Sequence, residues 1–145
     1  MTVLNPSLVA LGMQGGTKEE IIDGLLDAAM RSGKVADRQK AKAAILERER
    51  RMSTGMKHGI AIPHGKTDAV SELVACVGVS DNEVDFEALD HKGCRIYIMT
   101  LSPPEKTGPH LQFLAEVSTL FRSEEKRQAI LAASSPEEIL DILKP

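Results

Sequence analysis

Leu73-Val74-Ala75-Cys76-Val77-Gly78-Val79-Ser80 and Arg95-Ile96-Tyr97-Ile98-Met99-Thr100-Leu101 are the two runs that decide the fold. Each is apolar at successive positions, not at alternate ones. A strand with one wet face alternates, whereas a strand covered on both faces does not. Both runs therefore predict interior strands of a sheet with helices against it. A shorter run, Gly59-Ile60-Ala61-Ile62, predicts a third strand. It is stopped by Pro63, which cannot donate to a ladder.

Helical patterns surround these strands, so the fold class is α/β. Thr17-Lys18-Glu19-Glu20 is a capping box, followed by a face of Ile22, Leu25, Leu26 and Ala29 and closed by Gly33. Asp37 is a second N-cap, with Ala41, Ala44, Ile45 and Arg48 along the helix to about Arg51. Two successive helices make an αα-hairpin. Pro103-Pro104 ends the last strand. Gly108-Pro109 then opens a helix with Leu111, Leu114, Val117, Leu120 and Phe121 as its stripe. Ser123 and Ser135 cap two more helices, the last carrying Ile139, Leu140, Ile142 and Leu143. Residues 1–16 read as an arm or a short edge strand.

Composition excludes several classes of function. The chain has 145 residues, which suits one domain over 1–145, with 18 basic and 21 acidic residues and a net charge of −3. That balance argues against a coat for nucleic acid. Aromatic residues are only 3%, too few for platforms that stack bases or sugars. Cys76 sits inside an apolar run and reads as a buried, inert thiol, whereas Cys94 precedes a run and is expected to be partly exposed. No stretch is long and apolar enough for a membrane span, and Met1–Ala10 lacks the pattern of a signal peptide. A cytoplasmic protein without membrane insertion is expected.

Two of the four histidines sit where backbone geometry would present them. His64 follows the short strand in Ile60-Ala61-Ile62-Pro63-His64-Gly65, so the sheet delivers its imidazole to a strand end, where ligands bind in α/β folds. Gly65 would leave room beside the ring and let its N–H approach a ligand. His110 falls at about the second position of the Gly108-Pro109 helix, where the dipole favours anions and keeps the imidazole neutral. A neutral imidazole is a competent nucleophile toward phosphorus, and a second can donate to a phosphoryl oxygen. Such a transfer also needs fixed positive charge. Glu47-Arg48-Glu49-Arg50-Arg51 supplies three guanidinium groups, of which Arg48 lies nearest the buried edge of its helix and wants an anionic partner.

The stretch from Arg48 through Met52-Ser53-Thr54-Gly55, followed by Gly59-Ile60-Ala61-Ile62-Pro63-His64-Gly65, resembles the signature of the fructose/mannitol-type enzyme IIA domain. That domain belongs to the bacterial phosphoenolpyruvate-dependent sugar phosphotransferase system, and the nitrogen-regulatory enzyme IIA shares its signature. The resemblance covers residues 5 to 143, including His110-Leu111 and the Ser135-Pro136-Glu137-Glu138 helix. It implies a mixed, mostly parallel sheet flanked by helices on both sides. It also implies that His64 accepts phosphate on Nε2 from the phosphocarrier HPr and passes it to a IIB domain of a sugar permease. His110 would support the phosphoryl group, and Arg48 would be the active-site arginine. Gly65, Lys66, Lys57 and Thr54 would be phosphate-proximal or partner-binding. No cofactor and no metal is called for.

The chain departs from many members of that family at Gly55-Met56-Lys57-His58-Gly59, where Lys57 and His58 replace small or polar residues and add positive charge. A nitrogen-type regulatory role, in which phosphorylation switches binding to a regulatory protein, is the alternative. Zinc held by His58, His64 and His110 is a third reading. The spacing of His58 and His64 is not that of a helical ligand pair, and no carboxylate completes the set.

Overall fold

The computed structural model describes residues 4–144. In chain order its elements are β1 (Val9–Met13), α1 (Lys18–Arg31), α2 (Arg38–Arg51), β2 (Ile60–Ala61), β3 (His64–Lys66), β4 (Val74–Val84), β5 (Cys94–Ser102), α3 (Thr107–Leu120), α4 (Glu124–Ala132) and α5 (Pro136–Leu143). The two apolar runs form the centre, as expected. The sheet order is β1-β4-β5-β2, with β3 also on β5. β1 runs parallel to β4, and β2 and β3 run parallel to β5. Only β4 and β5 are antiparallel. The sheet is thus mixed and mostly parallel.

The strands have no polar face because each face carries its own core. Val74, Cys76, Tyr97, Met99 and Leu101 point to one side, against Ile21, Leu25 and Ala41 of α1 and α2. Ala75, Val77, Ile96 and Ile98 point to the other, against Phe113, Val117, Ile130 and Ile139 of α3, α4 and α5. The alternation is present but both halves are apolar, which is what helices on both sides demand.

The caps fall where the sequence places them. Thr17, Asp37, Ser123 and Ser135 each accept a hydrogen bond from the backbone N–H three residues on. Glu20 completes the box by accepting from Thr17 Oγ1 and the Gly16 N–H. Arg38 pairs with Asp23 and Asp27, and Lys42 with Asp23 and Glu19, so α1 and α2 run antiparallel, zipped by charge.

Four expectations need correction. Pro63 does not end strand structure. β3 resumes at His64 because Pro63 lacks only a donor, and its carbonyl still accepts from the Thr100 N–H at 3.0 Å. α3 begins at Thr107 with Lys106 as N-cap, so Pro109 is its third residue and His110 its fourth. Its buried stripe is accordingly His110, Phe113, Val117 and, just beyond the helix, Phe121, while Leu111 is exposed. Finally, Cys94 is fully buried in the core on the α1/α2 side. Burial raises the Cys94 thiol to about 11 and the Cys76 thiol to about 12, so both are unreactive near neutral pH.

Candidate functional site

Beyond Pro63 the edge strand turns His64 toward α3. Side chains alternate along a strand, so Ile60, Ile62 and His64 share the α3 face while Gly65 faces α2. Thr100, opposite His64 in the parallel register, also faces α3. Its Oγ1 lies 2.9 Å from His110 Nε2, and both residues are buried. The two imidazole centroids are 5.7 Å apart and tilted by 54°. The structure therefore brings the two sequence-flagged histidines together.

The hydrogen bonds fix which atoms are available. His64 Nδ1 lies 2.9 Å from the Ile62 carbonyl. A carbonyl only accepts, so Nδ1 carries the proton and the Nε2 lone pair is open. His110 is held below the ordinary histidine value, first by burial and then by charge at His64 and Lys66. The expected neutrality stands, but its leading cause is desolvation and not the helix dipole. Lys66 is exposed at the end of β3, and its field reaches His110.

Arg48 belongs to the other layer. The Cβ that Gly65 lacks would lie 3.0 Å from Ala44 C and Ile45 N, so α2 crosses directly behind β3. Arg48 sits one turn further on, half-buried, donating from Nη1 to the Met52 carbonyl at 2.7 Å. Arg50 and Arg51 both pair with Glu47, whereas Arg48 has no carboxylate among the described residues. To meet a phosphoryl group on His64 it must reach round the edge strand. Among the described residues no strand lies outside β3 to block that route.

Two residues expected to be phosphate-proximal or partner-binding also make close contacts inside the molecule. α2 packs directly on Gly65, where a Cβ would crowd the Ala44 and Ile45 backbone. Thr54 is buried, and its hydroxyl donates to Glu49 Oε1 at 2.5 Å. Lys57 is exposed and lines a groove beside Ile62, as does His58, which adopts a left-handed backbone with φ 65°. Among the described residues no group of three His, Cys, Asp or Glu side chains is placed to hold a metal ion.

Three contributors escape the sequence reading. Glu49 is the hub beneath the site. Its carboxylate accepts from Lys18 at 2.9 Å, from the Thr54 N–H at 2.9 Å and from the Thr54 hydroxyl. Thr54 in turn accepts from the Ile62 N–H at 3.0 Å, and Ile62 holds His64. Glu49 extends the buried positions Ala41 and Ile45 at four-residue intervals, a signal masked by the surrounding charges. Thr100 is a hydroxyl set among Met99 and Leu101 near the end of an apolar strand, which marks it as a hydrogen-bond partner. The Ile62 carbonyl has no signal in side-chain chemistry.

The family described as "Phosphoenolpyruvate-dependent sugar phosphotransferase system, EIIA 2" matches residues 2–145. The fructose-specific EIIA component of Haloferax volcanii is 39% identical over 142 residues, covering 98% of this chain and 92% of that protein. The fructose-specific EIIABC component of Bacillus subtilis is 37% identical over 141 residues. Those residues are 97% of this chain but 22% of that longer protein. Among solved structures, the nitrogen regulatory protein IIA-Ntr of Neisseria meningitidis superposes with a TM-score of 0.91 at 27% identity, covering 99% of this chain and 97% of that one.

Proposed function

The chain belongs to the EIIA 2 family of the phosphoenolpyruvate-dependent sugar phosphotransferase system, and we propose that His64 Nε2 is the atom that carries its phosphoryl group. The observation that carries this reading is the hydrogen bond from His64 Nδ1 to the Ile62 carbonyl. It fixes the tautomer, leaves the Nε2 lone pair open, and takes up part of the positive charge that the ring acquires on phosphorylation.

The step is an in-line exchange. The Nε2 lone pair attacks phosphorus on phospho-HPr, and the bond from phosphorus to the donor imidazole breaks. The electron pair leaves with that imidazole. Nδ1 keeps its proton throughout. His110 stays neutral, and with Thr100 donating to its Nε2, its Nδ1–H is free to donate to a phosphoryl oxygen. Arg48 supplies charge from across the edge strand, and Lys66 adds to it. The second exchange runs the same way toward a nucleophile on a IIB domain. The fusion of EIIA with B and C components in the Bacillus relative supports a IIB acceptor. The experiment is transfer from labelled phosphoenolpyruvate through enzyme I and HPr to this chain, then to a IIB domain from the same source. Label on the chain that a IIB domain discharges is the expected result. Label that no IIB domain accepts would oppose a transport role.

A second reading is regulatory. The superposition on IIA-Ntr supports it, at lower sequence identity than the fructose-type relatives. A non-IIB protein that binds only one phosphorylation state would favour it.

A further inference from the structure

Among the described residues Glu49 is the only buried carboxylate, with 5% of its side chain exposed. A buried charge needs a partner, and Lys18 supplies one at 2.9 Å. Pairing alone does not account for the rest of its bonds. The Thr54 N–H donates to Oε2 at 2.9 Å, and the Thr54 hydroxyl donates to Oε1 at 2.5 Å. Two donors from one residue, one on each oxygen, fix both the place and the orientation of Thr54. Among the described residues no other side chain bonds Thr54.

Thr54 matters because of where the edge strand turns its backbone. The Gly59 and Pro63 carbonyls accept from Ile96 and Thr100 of β5. Hydrogen-bonding groups alternate in direction along a strand, so the N–H and the carbonyl of Ile62 both point away from β5. The N–H donates to the Thr54 carbonyl at 3.0 Å, and the carbonyl accepts from His64 Nδ1. Ile62 thus takes its outer anchor from Thr54 and passes it to the ring. The segment doubles back to do this: Met56 donates to the Ile60 carbonyl at 2.7 Å, and Gly55 bridges to Ala61. The loop before β5 closes the other side. A Cβ on Gly55 would lie 2.8 Å from the Phe86 carbonyl oxygen and from Ala88 Cα.

We propose that Glu49 is a positioning residue for phosphoryl exchange: by holding both donors of Thr54 it sets the Ile62 carbonyl, and through it the tautomer and aim of the His64 ring. This rests on the reading that His64 Nε2 carries the phosphoryl group. Geometry is what Glu49 supplies, so two substitutions separate it from charge. Glu49→Gln keeps the length. Its amide oxygen can accept from the Thr54 N–H while its nitrogen donates to the Thr54 hydroxyl. Glu49→Asp keeps the charge but is one methylene short.

The test measures His64 labelling per folded molecule, with the folded fraction set by circular dichroism. The donors are phospho-HPr from the same source and phosphoramidate, a small donor. Glu49→Asp and Glu49→Ala should lower the maximal rate about tenfold to a hundredfold with both donors, the scale of a small misplacement of a reacting group. The phospho-HPr concentration for half-maximal rate should stay unchanged. Glu49→Gln should stay within about threefold of the parent. Nitrogen NMR should show His64 protonated partly at Nε2 in the Asp variant and at Nδ1 in the Gln variant. A fold that is merely less stable would move neither rate nor tautomer, and that result would overturn the proposal. So would a loss confined to phospho-HPr, or a Gln variant slower than the Asp variant. If neither donor labels His64 in the parent, the phosphocarrier reading itself fails. A labelled parent with unresponsive variants removes only the role of Glu49.

Discussion

The two faces of the sheet treat polar groups in opposite ways. On the α1/α2 face they are satisfied within the molecule. Glu49 takes Lys18 and both donors of Thr54, and Asp23 takes Arg38 and Lys42. Lys18 shows the balance: burial works against its charge, but Glu49 and Glu87 outweigh burial and raise its affinity for the proton. On the α3 face, by contrast, His64 Nε2, Lys57 and Arg122 have no partner among the described residues. Apart from Arg48, which has no carboxylate among the described residues, one face is a closed scaffold, and the other leaves its cations for something that arrives from outside. One connection between them is a hydrogen-bonded path from the Glu49 carboxylate through the Thr54 and Ile62 backbone to the His64 ring.

That contrast can be broken from either side. The largest effect should come from His64→Ala, which removes all acid-labile, base-stable label acquired from phospho-HPr. Label retained at another residue would place the reactive atom elsewhere. His110→Ala should slow acceptance about 10²–10³-fold, the usual loss for one donor to a developing charge, with circular dichroism unchanged. Glu49→Ala should instead act on the scaffold. Removing one partner of a buried pair typically costs about 3–5 kcal/mol. Here Lys18 keeps Glu87 and some contact with water, so about 2–3 kcal/mol is expected from urea unfolding, and less for Glu49→Gln. An unchanged midpoint would detach Glu49 from the scaffold.

The smallest effect is on pH dependence. His110 is neutral in the fold at pH values where an unfolded histidine, with an ordinary value of 6.5, is already protonated. The unfolded state then binds more protons, so stability falls as pH drops below about 7 and levels off once the folded imidazole also protonates. His110→Asn should show a shallower loss between pH 7 and 5. An identical slope would mean that His110 is not held low.

Much of this is legible in the sequence. The two apolar runs imply covered strands, and the capping residues Thr17, Asp37, Ser123 and Ser135 mark true helix starts. His64 and His110 stand out by their backbone setting. Other features depended on what lies opposite in space. Gly65 and Thr54 are residue types that suit phosphate, but α2 lies against one and Glu49 binds the other. Glu49 itself hides inside a charged run although it shares a stripe with Ala41 and Ile45. The start of α3 shifts two residues because Pro109 is tolerated anywhere in a first turn, whose N–H groups have no partner inside the helix.

The central claim is that the Ile62 carbonyl reserves Nε2 of His64 for phosphorus. Long-range proton–nitrogen NMR on histidine-labelled protein tests it most directly, before and after phosphorylation by phospho-HPr. The expected result is a His64 ring protonated at Nδ1 in the free protein and phosphorylated at Nε2 afterwards. Phosphate on His64 Nδ1, or on His110, would contradict it.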